Sequence, residues 1–193
     1  MIIGLFLRHI KAYKGIKFIP IGENYNFVSY IGENGAGKSS ILEALDSFFN
    51  NKKYLINKNA IEDGIHTVGN NPYILPIFLI EKTKISKKKK EFEKISSFFW
   101  SIEKKDTSPG IQGSMKDFFK LREKIENKKD THYLIVIGET KLTAGHKIYF
   151  GSFHNEENFL LDFLDKEKSE IDGLKAEERK VIVDGWKKEV EKE

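Results

Sequence analysis

The chain has 193 residues, no cysteine and a net charge of +4 from 33 basic and 29 acidic residues. This length fits one domain with a sizeable core, and the lack of cysteine excludes a disulfide framework and a thiolate metal site. No stretch approaches the roughly 20 apolar residues of a membrane span, and the N-terminus lacks the features of a signal peptide. We therefore expect a cytoplasmic protein without a membrane partner.

Three short strands are predicted in the first 31 residues. Residues 2–8 and 15–21 alternate in polarity, and Pro20 cannot donate a ladder hydrogen bond, which indicates that the second strand lies at a sheet edge. Residues 26–31 alternate as well and carry β-branched and aromatic side chains. They predict a third strand that runs up to Gly32.

Residues 32–40 form a glycine-rich segment with the sequence GENGAGKSS. They fit the pattern G-x-x-x-x-G-K-[ST], with Gly32, Gly37, Lys38 and Ser39 at the fixed positions. In this pattern the glycines let main-chain N–H groups face one anion. The lysine reaches the β- and γ-phosphates of a nucleotide, and the serine hydroxyl completes a Mg²⁺ shell.

A helix is predicted directly after this segment, because apolar residues recur at helical spacing between residues 41 and 49. We expect it to begin near Lys38 and to end before Asn50. A strand, a glycine-rich loop and a helix in this order aim a helix N-terminus at a phosphate group. The pattern therefore favours a nucleotide site over a glycine turn that only caps a helix.

The opening of the chain resembles an ATPase head of the SMC/Rad50/RecF group. The resemblance covers about residues 2–49 and rests on L-x-L-x-H-I-K-A-Y, I-x-F and GENGAGKSSILEAL. It implies an α/β fold, that of the N-terminal lobe of an ABC-type P-loop NTPase head with a mixed sheet. His9 and Ala12 depart from the family pattern, which has Asn and Ser at these positions.

The resemblance implies ATP and Mg²⁺ as ligands, with Lys38 as the catalytic lysine and Ser39 as the metal ligand. Lys11 keeps a basic position that lies beside the nucleotide in Rad50-like heads, and an exposed turn lysine is the equal alternative. The nucleotide contacts that the resemblance implies are Lys11, Asn34, Gly35, Ala36, Gly37, Lys38, Ser39 and Ser40.

The middle of the chain departs most from the family. Residues 50–69 are predicted to form a loop, and residues 73–82 a strand. We interpret residues 85–130 as an inserted helical segment, with helices over residues 91–102 and 115–126. Residues 87–90 are four consecutive lysines, which predict either a solvated surface or a contact with DNA or RNA phosphates. The neighbouring aromatic residues are expected in the core.

The last third of the chain predicts two strands and then helix. The strands are residues 131–139 and 147–153, and the charge-rich part from residue 156 onward predicts helical structure. Its apolar residues predict either the root of a coiled-coil arm or an exposed terminal helix pair. These residues are Leu160, Leu164, Ile171, Leu174 and Val181. We therefore expect residues 1–155 to form the N-terminal lobe and residues 156–193 to begin the arm.

Two parts of an ATP-hydrolysing head are missing from the sequence. There is no hydrophobic strand that ends in Asp-Glu, which would bind Mg²⁺ and polarise water, and no Ser-Gly-Gly signature. The only glutamine, Gln112, is expected in a loop of the inserted segment. Because SMC and Rad50-like heads are split into two lobes, the resemblance implies that the missing parts belong to a C-terminal lobe. We expect an incomplete ATPase that binds nucleotide poorly alone.

The resemblance also implies partners. Two such heads form a homodimer on ATP and act on DNA, in DNA repair or in anti-phage defence. The divergent middle is similar to the SMC-like ATPase subunits of Lamassu or Septu type bacterial defence systems, which would add a nuclease partner. The ATPase lobe of an overcoming-lysogenization-defect (OLD) type nuclease and a non-catalytic nucleotide-binding module remain as alternatives.

Overall fold

The computed structural model describes residues 1–22, 28–50, 52–64, 72–104, 112–137, 160–161 and 164–190. These residues form a mixed α/β fold around one four-stranded sheet. Within the described ranges, no helix combines the length and the apolar character that crossing a membrane requires.

In the described residues every strand pair of the sheet is antiparallel, and the strand order is β2-β1-β3-β4. The mixed sheet that the resemblance implied is therefore not found there, because β1 pairs with β2 and β3 and β3 pairs with β4, each in the antiparallel sense. The strands are β1 (Ile2–Ile10), β2 (Tyr13–Pro20), β3 (Tyr73–Glu81) and β4 (His132–Val136). The predictions for residues 2–8, 15–21 and 73–82 are confirmed, as is the edge position of β2. The strand predicted over residues 131–139 is confirmed up to residue 136, and residues 138 and 139 lie outside the described ranges.

Five α-helices lie wholly within the ranges that the structure describes. They are α1 (Lys38–Asn50), α2 (Lys58–Glu62), α3 (Lys89–Ser101), α4 (Gln112–Lys124) and α5 (Ala176–Val190). The helices predicted near residues 38–50, 91–102 and 115–126 are confirmed as α1, α3 and α4. Gln112, expected in a loop, is instead the first residue of α4.

Helix α1 packs on one face of the sheet. Its inward side chains Ile41, Ala44 and Phe48 form a core cluster with apolar residues of β1 and β3. Burial of these side chains removes apolar surface from water, which is the main favourable term in folding. This packing fixes the position of the glycine-rich loop, because the loop leads directly into α1.

The opposite face is covered by α3, α4 and α5. The aromatic side chains of the lysine-rich region, including Phe99, Trp100 and Phe118, are buried there, so their expected place in the core is confirmed. Helix α3 packs beside β4 and α4 beside β2. The two helices of the predicted inserted segment therefore contribute directly to the main core.

Besides the loop expected at Gln112, two further sequence predictions are wrong. The described part of the predicted third strand, residues 28–31, is not a strand. Because β1 already pairs with β2 on one side and with β3 on the other, this segment has no partner beside β1. The loop predicted over residues 50–69 contains the short helix α2.

The apolar residues that predicted a coiled coil lie in different environments. Leu160 and Ile171 are buried in the same cluster as the sheet, together with Val183 and Trp186 of α5, whereas Val181 is 72% exposed. Helix α5 thus packs one side on the body of the fold. The coiled-coil arm stays a prediction, and the strand predicted over residues 147–153 lies outside the described residues.

Candidate functional site

The glycine-rich loop forms an exposed turn ahead of α1. The N–H of Ala36 donates to the carbonyl oxygen of Glu33 over 3.2 Å, which closes the turn. Gly35 and Gly37 have φ angles of 86° and 89°, in the region that side chains with a Cβ rarely adopt. Asn34 lies within this exposed turn. The two glycines therefore serve the backbone geometry that the pattern predicted.

The N-terminus of α1 is suited to an anion. The first N–H groups of a helix have no partner within it and carry partial positive charge. Helix α1 begins at Lys38, has 13 residues and contains no acidic residue in its first turn, so no carboxylate of its own competes there. The side chain of Ser39 is exposed and therefore accessible to a metal ion, whereas Ser40 is buried.

The ammonium group of Lys38 lies over the loop. Its Nζ donates to the carbonyl oxygen of Glu33 over 2.6 Å and also to that of Gly32. An ammonium has three donors, so these two contacts hold the positive charge beside the main-chain amides. A phosphate group at the helix N-terminus would be within the reach of this flexible side chain.

Lys11 forms an ion pair with Glu43 of α1. Glu43 and Ser39 are four residues apart in the helix and are therefore neighbours on one face. The pair places Lys11 beside the helix that carries the loop, but its ammonium is engaged with a carboxylate. A direct contact between Lys11 and a nucleotide stays a prediction.

The turn that carries Lys11 is held by Asn57. Asn57 Nδ2 donates to the carbonyl oxygen of Lys11 over 2.6 Å, its N–H donates to that of His9 over 2.8 Å, and its Oδ1 accepts from the N–H of Ala60 over 3.1 Å. His9 and Lys11 both have positive φ, 57° and 47°, which these bonds help to maintain. Sequence reasoning missed Asn57, although an asparagine directly before a helix is a common N-cap.

A pocket of about 210 Å³ lies on the flank of α1, next to the Lys11–Glu43 pair. Its wall includes Asp46, whose carboxylate accepts from Lys52 Nζ over 2.7 Å. The hydrogen bonds from Lys52 and then Asn50 lower the pKa of Asp46. Two ion pairs, Lys11–Glu43 and Lys52–Asp46, therefore line the pocket, together with Lys53.

Tyr13, at the start of β2, contacts the loop directly. Its hydroxyl donates to the carbonyl oxygen of Gly37 over 3.2 Å. A Cβ on Gly37 would lie 2.8 Å from that hydroxyl oxygen, closer than such atoms approach. Tyr13 ends the L-x-L-x-H-I-K-A-Y segment on which the resemblance rests, but its contact with Gly37 was not predicted, because the contact joins residues 24 positions apart.

The donor set for a metal ion is small. Within the described ranges, no three or more His, Asp or Glu side chains come together in a way that could hold a metal. The exposed Ser39 hydroxyl fits the role of a single protein ligand to Mg²⁺, whose other ligands would be phosphate oxygens and water. The acidic pair of a complete ATPase head has no counterpart in this part of the chain.

One segment of the chain carries a clear excess of positive charge. Residues 81–94 contain seven lysines and three glutamates, a net charge of +4 that equals the net charge of the whole chain. Lys87, Lys88, Lys89 and Lys90 are exposed. Three other lysines of the segment pair with carboxylates: Lys82 with Glu93, Lys84 with Glu81 and Lys94 with Asp165.

Comparison with known proteins gives one partial similarity. The chain is 34% identical over 65 residues to Structural maintenance of chromosomes protein 1 of Saccharomyces cerevisiae, a match that covers 34% of this chain and 5% of the yeast protein. No family model matches the chain, and no solved structure matches it. The partial similarity points to an SMC-like ATP-binding module.

Proposed function

We propose that the chain is the ATP-binding N-terminal lobe of an SMC/Rad50-like ATPase, a P-loop NTPase of the ABC type. The observation that carries this proposal is the loop at residues 32–40, which combines the G-x-x-x-x-G-K-S pattern with a position directly before a 13-residue helix free of acidic residues in its first turn. The partial similarity to the yeast chromosome protein supports it.

The residues of the loop divide the work of binding. The main-chain N–H groups from Asn34 to Ser40 would surround the phosphates of the bound nucleotide. The ammonium group of Lys38 would exchange its hydrogen bonds to the carbonyl oxygens of Gly32 and Glu33 for contacts with the β- and γ-phosphates. Ser39 supplies the protein ligand to Mg²⁺, which when bound neutralises charge on the phosphate oxygens. In this assignment Lys38 acts in catalysis as well as in binding, because negative charge develops on the phosphate oxygens that it contacts while the γ-phosphoryl group is transferred.

Hydrolysis requires a second lobe, because neither an Asp-Glu pair nor a Ser-Gly-Gly signature occurs in the sequence. The outward face of α1 supports such a partner. Leu42 and Phe49 are 63% and 52% exposed, and Ile31 ahead of the loop is 94% exposed. Apolar surface of this kind beside a site marks protein contact. We propose that a C-terminal lobe packs on this face of α1. A second head would lie opposite the loop in an ATP-dependent homodimer.

DNA is the proposed client. The four exposed lysines at residues 87–90 carry the excess charge of the chain, and lysines bind phosphates without reading base sequence. The pathway proposed for this activity is DNA repair or anti-phage defence of the Lamassu or Septu type, in which a nuclease subunit would join the ATPase.

One alternative has an observation in its favour. The described residues contain no cluster of metal-ligating side chains, and the sequence has no Asp-Glu pair at the end of a hydrophobic strand. A non-catalytic module that uses nucleotide as a structural switch would need neither. Such a module would bind MgATP through the same loop, but it would not gain hydrolytic activity when a second lobe is supplied.

The homodimer is tested by measuring the molar mass of the complete protein, with both lobes present, in solution with and without MgATP. The proposed ATPase head forms dimers with MgATP, and Lys38→Ala removes them because the phosphate contact is lost. Dimers that persist with MgATP in Lys38→Ala would refute the assigned role of Lys38. A lack of dimers in the parent protein, together with intact MgATP binding, would favour the non-catalytic module.

A further inference from the structure

Tyr13 lies outside the loop, in β2, and its hydroxyl donates a hydrogen bond to the loop backbone where the loop joins α1. We propose that Tyr13 is a positioning residue of the phosphate loop, which holds the peptide between Gly37 and Lys38 so that the Lys38 N–H faces the bound phosphate. This inference rests on the proposed nucleotide function, and it adds a residue that lies outside the pattern G-x-x-x-x-G-K-[ST].

The geometry of one peptide unit carries the argument. In a trans peptide the carbonyl oxygen and the following N–H point in opposite directions. The carbonyl oxygen of Gly37 accepts two hydrogen bonds, from the Tyr13 hydroxyl over 3.2 Å and from the N–H of Ile41 over 3.3 Å. With both acceptor directions of this oxygen used, the peptide cannot rotate freely, and the Lys38 N–H points away from the helix toward the loop.

Tyr13 is itself held by rigid structure. It pairs with Ile10 in the β1–β2 ladder, and the adjoining turn is fixed by the hydrogen bonds from Asn57 to Lys11 and His9. The hydroxyl therefore reaches Gly37 from a residue that is anchored in the sheet. A binding group supported in this way loses less freedom when a ligand binds.

Gly37 and Tyr13 also fit each other sterically. The φ angle of Gly37 is 89°, and a Cβ there would lie within 2.9 Å of both the hydroxyl oxygen and the ring carbon that bears it. The missing side chain lets the phenol approach the backbone closely enough to donate. The requirement for glycine at this position thus has two causes, the backbone angle and the neighbouring ring.

Tyr30 provides a matched control. It packs against the same core cluster as Tyr13, and its hydroxyl is buried with no hydrogen-bond partner in the described structure. Burial raises the pKa of both tyrosines, and Tyr13 raises that of Tyr30 further, so both phenols stay protonated at neutral pH. Removal of each hydroxyl therefore compares a phenol that hydrogen-bonds to the loop backbone with one whose hydroxyl has no hydrogen-bond partner in the described structure.

The test uses the ¹⁵N-labelled full chain, titrated with MgATP and followed by the amide resonances of residues 34–40. We expect Tyr13→Phe to shift the Lys38 amide resonance before any ligand is added and to weaken MgATP binding about fivefold, the size of one ordinary hydrogen bond. Tyr30→Phe should leave both the Lys38 resonance and the affinity within twofold of the parent. Thermal unfolding of both variants serves as the measure of general damage.

Three results would overturn the positioning role. Tyr13→Phe could bind MgATP like the parent, it could lower the unfolding temperature while the folded fraction keeps its affinity, or Tyr30→Phe could weaken binding equally. In each case the parent still binds MgATP, so the proposed function stands. If the parent chain shows no shift at residues 34–40 at any MgATP concentration, the proposed function fails and this inference fails with it.

Discussion

The side-chain amide of Asn57 donates to the carbonyl oxygen of Lys11 over 2.6 Å, although the two residues are 46 positions apart in sequence. Asn57 Oδ1 at the same time caps α2 by accepting from the N–H of Ala60. One side chain therefore joins the β1–β2 turn to the segment that follows α1. The turn carries both Lys11 and, at its end, Tyr13, so its stability bears on the loop.

We expect Asn57→Ala to lower the free energy of unfolding by about 2 kcal/mol, because it removes an N-cap and a further hydrogen bond to a backbone carbonyl. The control is Asn59→Ala, an exposed position in the same short helix, which should change stability by less than about 0.5 kcal/mol. Denaturant unfolding measures both variants. Equal effects of the two changes would contradict the role assigned to Asn57.

A second prediction compares two glycines of the loop. Gly35 and Gly37 have similar positive φ angles, but a Cβ on Gly35 meets nothing within 4 Å, whereas one on Gly37 meets Tyr13 at 2.8 Å. Gly35→Ala should therefore cost about 1–2 kcal/mol, the backbone term alone. Gly37→Ala should cost roughly 1–3 kcal/mol more through overpacking.

The double variant separates these terms. In a Tyr13→Ala background the extra cost of Gly37→Ala should disappear, since the colliding ring is gone, and the two glycine substitutions should then cost about the same. Unfolding by denaturant for all combinations forms a double-mutant cycle. Additive effects of Gly37→Ala and Tyr13→Ala would show that the ring does not restrict this position.

A third prediction concerns the lysines at residues 87–90. If they contact DNA phosphates, changing all four to glutamine should make the plot of log binding constant against log salt concentration shallower by about three to four, at close to 0.9 per contact. The control changes four exposed lysines elsewhere, with the same loss of charge: Lys168, Lys175, Lys180 and Lys188. It should leave most of the slope in place.

The control variant also distinguishes direct contact between lysines 87–90 and DNA phosphates from a general attraction of DNA to a positively charged protein. A similar decrease for both quadruple variants would mean that DNA responds only to net charge. An unchanged slope for the variant at residues 87–90 would assign these lysines to a solvated surface. The aromatic residues of α3 point into the core, so we expect no preference for single-stranded DNA through base stacking.

A fourth prediction concerns pH. Burial lowers the pKa of His132, and the nearby Lys128 lowers it further. The folded state therefore binds fewer protons than the unfolded state near the ordinary histidine pKa of about 6.5. Protonation of His132 therefore favours the unfolded state. Its effect on the free energy of unfolding is absent above that pH, and the protein loses stability as the pH falls from there toward the lowered pKa of the folded state.

His132→Gln removes this titration. The unfolding temperature of the parent should fall more steeply between about pH 7.5 and pH 5.5 than that of the variant, measured at constant ionic strength. Identical pH profiles for the two proteins would show that His132 has the same pKa in the folded and unfolded states. A steeper profile for the variant would contradict the sign of the shift.

The local parts of the site were predictable from sequence, and the supporting contacts were not. The loop and α1 could be predicted from the spacing of residues, because the glycines, Lys38 and the apolar residues of the helix all lie within one short stretch of the chain. The contacts of Tyr13 with Gly37 and of Asn57 with Lys11 join residues 24 and 46 positions apart, which no local pattern records. They depend on how the sheet and α1 pack.

The strand prediction failed for a related reason. Residues 26–31 have the composition of a strand, but strand formation requires a neighbour with unpaired backbone groups. The two sides of β1 are taken by β2 and β3, and residues 28–31 remain outside the sheet. Alternation in polarity predicts which residues suit a strand, whereas pairing is decided by the rest of the fold.

The most direct test of the nucleotide site is an equilibrium titration of the full chain with MgATP, with Lys38→Ala and the control Lys116→Ala, an exposed lysine of α4. The account predicts measurable MgATP binding by the parent and by Lys116→Ala, and binding at least about tenfold weaker, or roughly 1.4 kcal/mol, in Lys38→Ala. Equal affinity of all three proteins, or no binding by the parent, would contradict the assignment of residues 32–40 as a phosphate-binding loop.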